Sequence, residues 1–245
     1  DEEREADAPL SLYFHIPFCR HLCYYCACNK IITKKNSDAG DYLEYLMAEI
    51  KHKRSLLKTP ADRKNPLVKQ LHFGGGTPTF LQDNELIKLW EFLQTQFEFL
   101  PEDQGDYSIE IDPRELGDET LTVLRNLGFN RVSLGVQDLD EKVQIAVNRI
   151  NSAELIENVL AEARRLGFHS TNVDLIYGLP HQTPTTLDKT VRRVIEMSPD
   201  RLSVFNYAHL PERFKPQRRI NTSDLPSPAD KLHMLEHTIE QLTAA

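Results

Sequence analysis

The feature that most constrains the fold is an alternation of short strand-like segments with longer helical segments, repeated six times along the chain. The strand-like segments are residues 10–17, 70–74, 107–112, 131–137, 171–176 and 202–207. The helical segments carry apolar residues three and four positions apart, and they are residues 41–57, 84–97, 118–127, 152–166, 184–197 and 228–242. This alternation predicts an α/β fold with a parallel sheet, either doubly wound or curled into a full or partial barrel.

Several of the predicted strands are polar on one face, although the strands of an ordinary parallel sheet are apolar on both. In residues 107–112, Ile109 and Ile111 alternate with Ser108, Glu110 and Asp112. Three other predicted strands also alternate apolar and polar residues, and their polar residues are His72, Ser133, Gln137, Asn172 and Asp174. If the apolar faces meet the helices, the polar groups converge on an interior near the C-terminal strand ends and predict a polar ligand. Alternatively, they only satisfy one another's hydrogen bonds.

All four cysteines of the chain fall within ten residues, as Cys19, Cys23, Cys26 and Cys28. The first three, spaced Cys-x3-Cys-x2-Cys, can bind three corners of a cubane [4Fe-4S] cluster and leave its fourth iron open. Cys28 follows Cys26 too closely to reach the far iron, so we interpret it as a separate group. Two alternatives are a compact four-cysteine zinc knuckle and a disulfide framework.

The glycine-rich segment 74–78, Gly-Gly-Gly-Thr-Pro, directly follows the second predicted strand. Bare backbone can approach a ligand there, and its N–H groups are expected to bind a carboxylate or another anion. A simple tight turn is the alternative. Elsewhere, Arg149, Gln137 and Asp174 are candidates to hold a polar cofactor, because arginine is a fixed cationic fork and aspartate accepts hydrogen bonds from hydroxyl groups.

Charge and hydropathy narrow the classes of partner. A net charge of −8 argues against a general nucleic-acid or anionic-membrane surface, since both need excess Lys and Arg. No apolar run approaches about 18 residues, so no membrane span is predicted and a cytoplasmic location is expected. Residues 1–9 are acidic and aperiodic, which predicts a flexible lead-in before a core of residues 10–245.

Residues 15–28 (HIPFCRHLCYYCAC) and 74–79 (GGGTPT) together resemble the radical S-adenosylmethionine (SAM) superfamily. Residues 110–114 (EIDPR), 135–138 (GVQD), 174–180 (DLIYGLP) and 203–210 (SVFNYAHL) narrow the resemblance to the oxygen-independent coproporphyrinogen III dehydrogenases, the anaerobic type of coproporphyrinogen III oxidase. The motifs occur in order along nearly the whole chain. The resemblance implies a partial (β/α)6 barrel of the radical SAM type.

The resemblance also implies roles for individual residues. Cys19, Cys23 and Cys26 would hold the [4Fe-4S] cluster, with SAM on its open iron. Positions that contact this SAM in the family match Tyr13, Gly75, Glu110 and Ala208. Positions around a second SAM match Tyr25, Gly76, Thr77, Gln137, Arg149 and Asp174. Cys28 matches a catalytic cysteine that is needed for activity without binding the cluster.

The implied activity is that of a radical SAM oxidoreductase in heme and porphyrin biosynthesis. A SAM-derived 5′-deoxyadenosyl radical would drive oxidative decarboxylation of two propionates of coproporphyrinogen III to vinyl groups, giving protoporphyrinogen IX. The implied partners are this substrate and an electron donor such as a flavodoxin or ferredoxin. The protein itself is expected to be a monomer. Family members are longer, so the resemblance implies that residues 10–245 are a catalytic core without the family's C-terminal domain.

Three other functions remain open from the sequence. The first is a heme-binding chaperone of the same superfamily, whose branch usually has Phe where Cys28 stands, so Cys28 favours the dehydrogenase. The second is a radical SAM methyltransferase that opens heme under anaerobic conditions. The third is a non-catalytic β/α module stabilised by zinc.

Overall fold

The central feature of the fold is one curved parallel sheet, seen in a computed structural model that describes residues 8–101 and 104–245. Most of the predicted lead-in therefore lies outside the described residues. The elements, in chain order, are β1 (Leu10–Ile16), β2 (Phe18–Cys19), β3 (Ile31–Ile32), α1 (Ser37–Ser55), β4 (Leu67–Gly75), α2 (Asp83–Gln96), β5 (Glu98–Phe99), β6 (Asp106–Ile111), α3 (Thr120–Asn126), β7 (Arg131–Gln137), α4 (Glu141–Ala146), α5 (Ala153–Arg165), β8 (Ser170–Tyr177), α6 (Pro184–Met197), β9 (Arg201–Asn206) and α7 (Pro228–Ala244).

The six long strands lie in the order β1-β4-β6-β7-β8-β9, and the two-residue strand β5 pairs beside β4. Every pairing is parallel, and the spatial order of the long strands follows the chain. Sequential parallel strands joined by crossover helices keep a constant hand, so the sheet curls progressively. Strands β1 and β9 form its two edges. The predicted partial (β/α)6 barrel is confirmed.

The helices bury the apolar face of this sheet, as α6 illustrates. It begins at the cap residue Thr183, whose side chain accepts a hydrogen bond from the backbone N–H of Thr186. Its residues Leu187, Val191 and Val194 are at most 1% exposed and belong to the main core. Each such burial stabilises the fold by about 1.5–3 kcal/mol. No helix within the described ranges has the length and apolar character needed to cross a membrane.

The opposite face of the sheet carries the polar residues that the sequence alternation placed together. Ser133 Oγ donates to Asp174 Oδ2 at 3.1 Å, and Asn172 Nδ2 donates to Ser133 Oγ at 2.8 Å. Ser203 Oγ extends the chain of bonds to Asn172 Oδ1 at 3.2 Å. The purely structural network considered from the sequence therefore exists across β7, β8 and β9. This network fills only part of the barrel interior. A cavity lies beside it at the C-terminal ends of the strands.

Candidate active site

The cysteine loop leaves the C-terminal end of β1 and is held by the main chain at both ends. Strand β2, at the start of the loop, pairs in parallel with β3 at its end. In the middle, Tyr24 N donates to Val147 O at 2.9 Å, and Asn148 Nδ2 donates to Leu22 O at 2.8 Å. All four cysteines are free thiols, so the disulfide framework considered from the sequence is absent. Main-chain bonds, together with the Asn148 side chain, therefore position the loop.

Hydrogen-bond donors surround two of the thiols. Cys23 is buried, with Arg149 Nη1 3.5 Å and Arg114 Nη2 3.9 Å from its Sγ atom. Thr77 Oγ1 lies 3.6 Å from Cys19 Sγ and donates to it. Cationic and hydroxyl donors favour the thiolate, which is the form that binds metal.

The thiols differ in how readily they lose a proton. Burial raises the pKa of Cys19 to about 11. The pKa of Cys26 is lowered to about 5, chiefly by a hydrogen bond from Cys28 and, against the effect of burial, by the charge of Lys30. That same hydrogen bond raises the pKa of Cys28. The hydrogen bond thus favours the thiolate form at Cys26 over Cys28, which agrees with separate roles for the two.

The donor set fits an iron–sulfur cluster. Three thiols of one loop line a single cavity, and two arginines beside Cys23 offset thiolate charge. Within residues 8–101 and 104–245, no group of three His, Cys, Asp or Glu side chains is arranged to hold one metal ion. The cysteines of a [4Fe-4S] cluster each bind a different iron, so they need not meet at one point.

The cavity beside the loop has a volume of about 250 Å³. Its lining includes every site residue predicted from the sequence except Tyr13 and Ala208, namely Cys19, Cys23, Tyr25, Cys26, Cys28, Gly75, Gly76, Thr77, Glu110, Gln137, Arg149 and Asp174. These residues come from β2, β4, β6, β7, β8 and the connecting loops. The parallel topology therefore brings the predicted residues to one end of the barrel, as expected for a β/α enzyme.

The glycine-rich turn after β4 uses its N–H groups within the protein. Gly75 N donates to Glu110 Oε2 at 3.2 Å. Gly76 N and Thr77 N donate to main-chain carbonyls at the end of β1 and in β2, at 2.8 Å each. These N–H groups thus have partners within the protein, and their binding of a ligand carboxylate or another anion stays a prediction. The turn fastens the cysteine loop to the sheet while its bare backbone lines the cavity.

We expect Gly76→Ala to destabilise the protein, because the added methyl group has no space. A Cβ atom at Gly76 would lie 2.7 Å from Phe18 O and 2.8 Å from the carbonyl of Pro17, and these backbone atoms cannot rotate away. Overpacking of this kind costs about 1–3 kcal/mol. Urea unfolding of the variant measures the cost.

The matched control is Gly40→Ala in α1, where the nearest atom to the added methyl is Glu85 Oε1 at 3.9 Å. In a helix interior, alanine is more stable than glycine by about 0.5–1 kcal/mol. The two substitutions are thus expected to have opposite signs. Equal stability of Gly76→Ala and the parent would contradict the close fit at this turn.

Glu110 links the glycine turn to the polar face of the sheet. Besides its bond to Gly75, its Oε1 atom lies 3.1 Å from His72 Nε2. The ring of Tyr13 stacks on His72 with centroids 5.7 Å apart, and Tyr13 is 56% exposed. Glu110 thus lies in the cavity wall. Tyr13 is not part of the lining and packs against His72.

A buried ion-pair network at the end of β6 was missed by the sequence analysis. Asp112 Oδ2 lies 2.6 Å from Arg114 Nη2 and 3.0 Å from Arg149 Nη1. Burial alone would raise the pKa of Asp112, but the hydrogen bonds and charges of the two arginines lower it overall. The two cations therefore face both Asp112 and Cys23. The sequence does show charged residues, Asp112 and Arg114, at the end of a predicted strand. It does not show that Arg149, 37 positions after Asp112, is their neighbour.

The neighbouring strands β7 and β8 contribute Gln137 and Asp174 to the cavity lining. Burial raises the pKa of Asp174, and Ser133 and Asn172 donate to its carboxylate. Arg149, predicted to act beside them, lines the same cavity and is bonded to the carbonyl of Gly135 at 2.5 and 2.9 Å and to Asp112. The structure thus brings Gln137 and Asp174 together and directs the Arg149 guanidinium toward the cysteines.

Ala208 follows β9 and lies outside the cavity lining. Its carbonyl accepts a hydrogen bond from Gln217 Nε2 at 3.1 Å, and the same nitrogen donates to Tyr25 O at 2.9 Å. Gln217 is 1% exposed. It therefore ties the cysteine loop to the segment after β9. Gln217 was not predicted from the sequence, because an isolated glutamine carries no signal for such a role.

The sequence matches known proteins along its length. Residues 13–194 match the radical SAM superfamily. The chain is 56% identical over 244 residues to an oxygen-independent coproporphyrinogen III oxidase of Pseudomonas aeruginosa, a match that covers 100% of this chain and 52% of the relative. It is 51% identical over 240 residues to the protein of that name from Escherichia coli K12, covering 98% and 51%. The chain thus spans about half the length of the curated relatives it matches.

Solved structures of radical SAM enzymes also superpose on this chain. A coproporphyrinogen III oxidase from Escherichia coli, described as a radical SAM enzyme, superposes with a TM-score of 0.92 at 49% identity, covering 99% of this chain and 54% of that one. The radical SAM methyltransferase TsrM from Kitasatospora setae, with cobalamin and a [4Fe-4S] cluster bound, superposes with a TM-score of 0.57 at 14% identity, covering 86% and 39%. The second match shows the fold alone.

Proposed function

Because this chain belongs to the radical SAM superfamily, we propose that it carries out the oxygen-independent oxidative decarboxylation of coproporphyrinogen III to protoporphyrinogen IX in heme biosynthesis. The observation that carries the proposal is the three-cysteine loop, which lines one cavity with Glu110, Gln137 and Asp174. The names of the relatives at 51–56% identity support the choice of substrate. In the reaction, each of two propionates loses CO2, one hydrogen atom and one electron and becomes a vinyl group.

Cys19, Cys23 and Cys26 are proposed to hold the [4Fe-4S] cluster, with Arg114 and Arg149 beside Cys23 and Thr77 beside Cys19. When bound, the cluster and SAM supply a one-electron reductant and an acceptor of a hydrogen atom. The protein's own residues position these groups and exclude water. The Asp112 carboxylate holds both arginines in place, so the cationic side of the site stays fixed.

The remaining polar wall is proposed to bind SAM. Glu110 faces the cavity at the glycine turn, and Gln137, Asp174 and Tyr25 line the same cavity, where the family resemblance puts a second SAM. Carboxylate and amide oxygens there can accept hydrogen bonds from ribose hydroxyl or amino groups. Cys28 has a thiol in the same lining and is assigned to the catalytic machinery, separate from the cluster ligands.

The proposed catalytic core is residues 10–245. The chemistry needs single electrons of low potential, which supports a flavodoxin or ferredoxin as the donor. These electron carriers are cytoplasmic, which supports that location for the enzyme. The helices of the described residues provide no membrane span.

The test is anaerobic reconstitution of the protein with iron and sulfide, reduction, and addition of SAM with or without coproporphyrinogen III. Formation of 5′-deoxyadenosine and vinyl-bearing porphyrinogen that depends on the substrate is expected. A Cys28→Ala variant, run in parallel, is expected to keep its cluster but form no vinyl product. Consumption of heme to a linear tetrapyrrole, or heme binding without SAM cleavage, would instead identify the methyltransferase or the chaperone.

A further inference from the structure

The end of β7 contains a strained turn centred on Gln137. The register between β7 and β8 shifts here, since Gly135 is opposite Asp174 and Gln137 is opposite Leu175. Gln137 has a φ of 73°, and Asp138 N donates to Val136 O at 3.0 Å, closing a three-residue turn. A turn of this φ is rare and strained for a residue with a side chain. Such a conformation persists only where the surroundings enforce it.

The turn directs the Gln137 side chain into the cavity. Gln137 contributes to the cavity lining, and its Oε1 atom is buried with no hydrogen-bond partner among the described residues. Buried side-chain oxygens are normally hydrogen-bonded, so an unsatisfied one requires an explanation. A ligand in the cavity would supply it after a rotation of the amide, because the amide oxygen can accept a bond from a hydroxyl or amino group.

The next residue, Asp138, is fixed by a set of hydrogen bonds from three elements. It is 1% exposed. Its carboxylate accepts a bond from Thr190 Oγ1 in α6 at 2.6 Å, from Gln182 Nε2 in the loop before α6 at 2.5 Å, and from Asp140 N at 2.9 Å. An aspartate held by this many donors anchors the chain immediately after the turn.

Further hydrogen bonds, made by Gln144, connect Asp138 to the segment that contains Arg149. Gln144 Nε2 donates to Asp138 O and to Asn151 O, at 2.8 Å each, and Arg149 N donates to Gln144 O at 2.9 Å. A Cβ atom on Gly135 would lie 2.9 Å from both the Gln137 amide and the Arg149 guanidinium. The two side chains are therefore packed on one glycine. The Arg149 segment is linked to the main-chain carbonyl of Asp138, whereas the Asp138 carboxylate anchors the chain immediately after Gln137.

We propose that Asp138 is a positioning residue, whose buried carboxylate holds Gln137 in its strained turn and so aims the Gln137 amide at SAM in the cavity. This inference rests on the proposed function for the identity of the ligand. Asp138 contacts no ligand itself. Its effect on binding must therefore pass through Gln137, and this dependence makes the proposal testable.

The test measures SAM affinity by equilibrium dialysis on the reduced, cluster-loaded protein. Asp138→Asn is expected to weaken SAM binding by about tenfold, the loss typical of one hydrogen bond, with iron content unchanged. Thr190→Val, an isosteric change that removes one donor to Asp138, is expected to weaken binding less and provides a second variant if Asp138→Asn fails to fold. Asp140→Asn is the matched control, because its carboxylate caps α4 through Lys142 N and Val143 N, and it is expected to leave affinity unchanged.

A double-mutant cycle distinguishes positioning from a general structural role. In a Gln137→Ala background the amide is gone, so Asp138→Asn is expected to cause no further loss of SAM affinity. An equal loss in both backgrounds, or no loss in either, would overturn the inference while leaving SAM binding by the parent protein in place. No SAM binding by the parent protein would overturn the proposed function and the inference together.

Discussion

Replacing Cys23 with alanine is expected to abolish the visible absorbance of the reconstituted cluster. Cys23 is the buried thiol of the loop, and its sulfur lies beside both Arg149 and Arg114. Without Cys23, only two thiols, those of Cys19 and Cys26, remain to hold the cubane. Arg149 and Arg114 also lose the thiolate beside them. Iron and sulfide content after anaerobic reconstitution gives the result directly.

Cys28→Ala is the matched control for this experiment, because Cys28 lies on the same loop and lines the same cavity. It is exposed and serves as the hydrogen-bond donor to Cys26. The cluster is therefore expected to survive its removal while substrate turnover is lost. A normal cluster in Cys23→Ala would refute the ligand assignment, and a lost cluster in Cys28→Ala would make Cys28 a ligand.

Replacing Glu110 with alanine is expected to weaken SAM binding by about ten- to a hundredfold with the cluster intact. The variant removes a charged acceptor from the cavity wall and frees the N–H of Gly75, which Glu110 Oε2 binds at 3.2 Å. Hydrogen bonds to charged groups contribute about 1.5–3 kcal/mol, which corresponds to that range of affinity. Equilibrium dialysis of the reconstituted variant measures the change.

Glu110→Gln separates charge from shape in this prediction. Its amide oxygen can still accept from Gly75 while the negative charge is gone, so an intermediate affinity is expected. Ser108→Ala, on the same face of β6 and also bonded to His72, provides a control outside the cavity lining. Unchanged SAM affinity in Glu110→Ala would refute the role assigned to this carboxylate.

The architecture was predictable from periodicity, because long segments with period two or period 3.6 outweigh local exceptions. All six long strands and the helices between them were predicted to within a few residues, as β7 and α6 show. The short elements were not. α4 has six residues, too few to establish a period, and the two-residue pairing of β2 with β3 depends on contacts that no local pattern encodes.

The candidate site was predictable where residue type and strand position coincide. Alternation along β6 and β8 located Glu110 and Asp174, and the cysteine spacing located the loop. The pairing of Asp112 with Arg149 could not be predicted, because it joins residues 37 positions apart whose proximity is set by the curvature of the sheet. The positive φ of Gln137 was equally hidden, since glutamine is not a residue that signals this conformation.

Three thiols are expected to hold a cluster with one open iron, to which SAM binds from the adjoining cavity. Electron–nuclear double resonance on the reduced protein tests it directly, using SAM isotopically labelled in its amino and carboxylate groups. We expect magnetic coupling between the labelled nuclei and the cluster, since a direct iron ligand must couple. A cluster signal that shows no coupling and does not change when SAM is added would mean that SAM is not a ligand of the cluster, and would contradict its binding at an open iron.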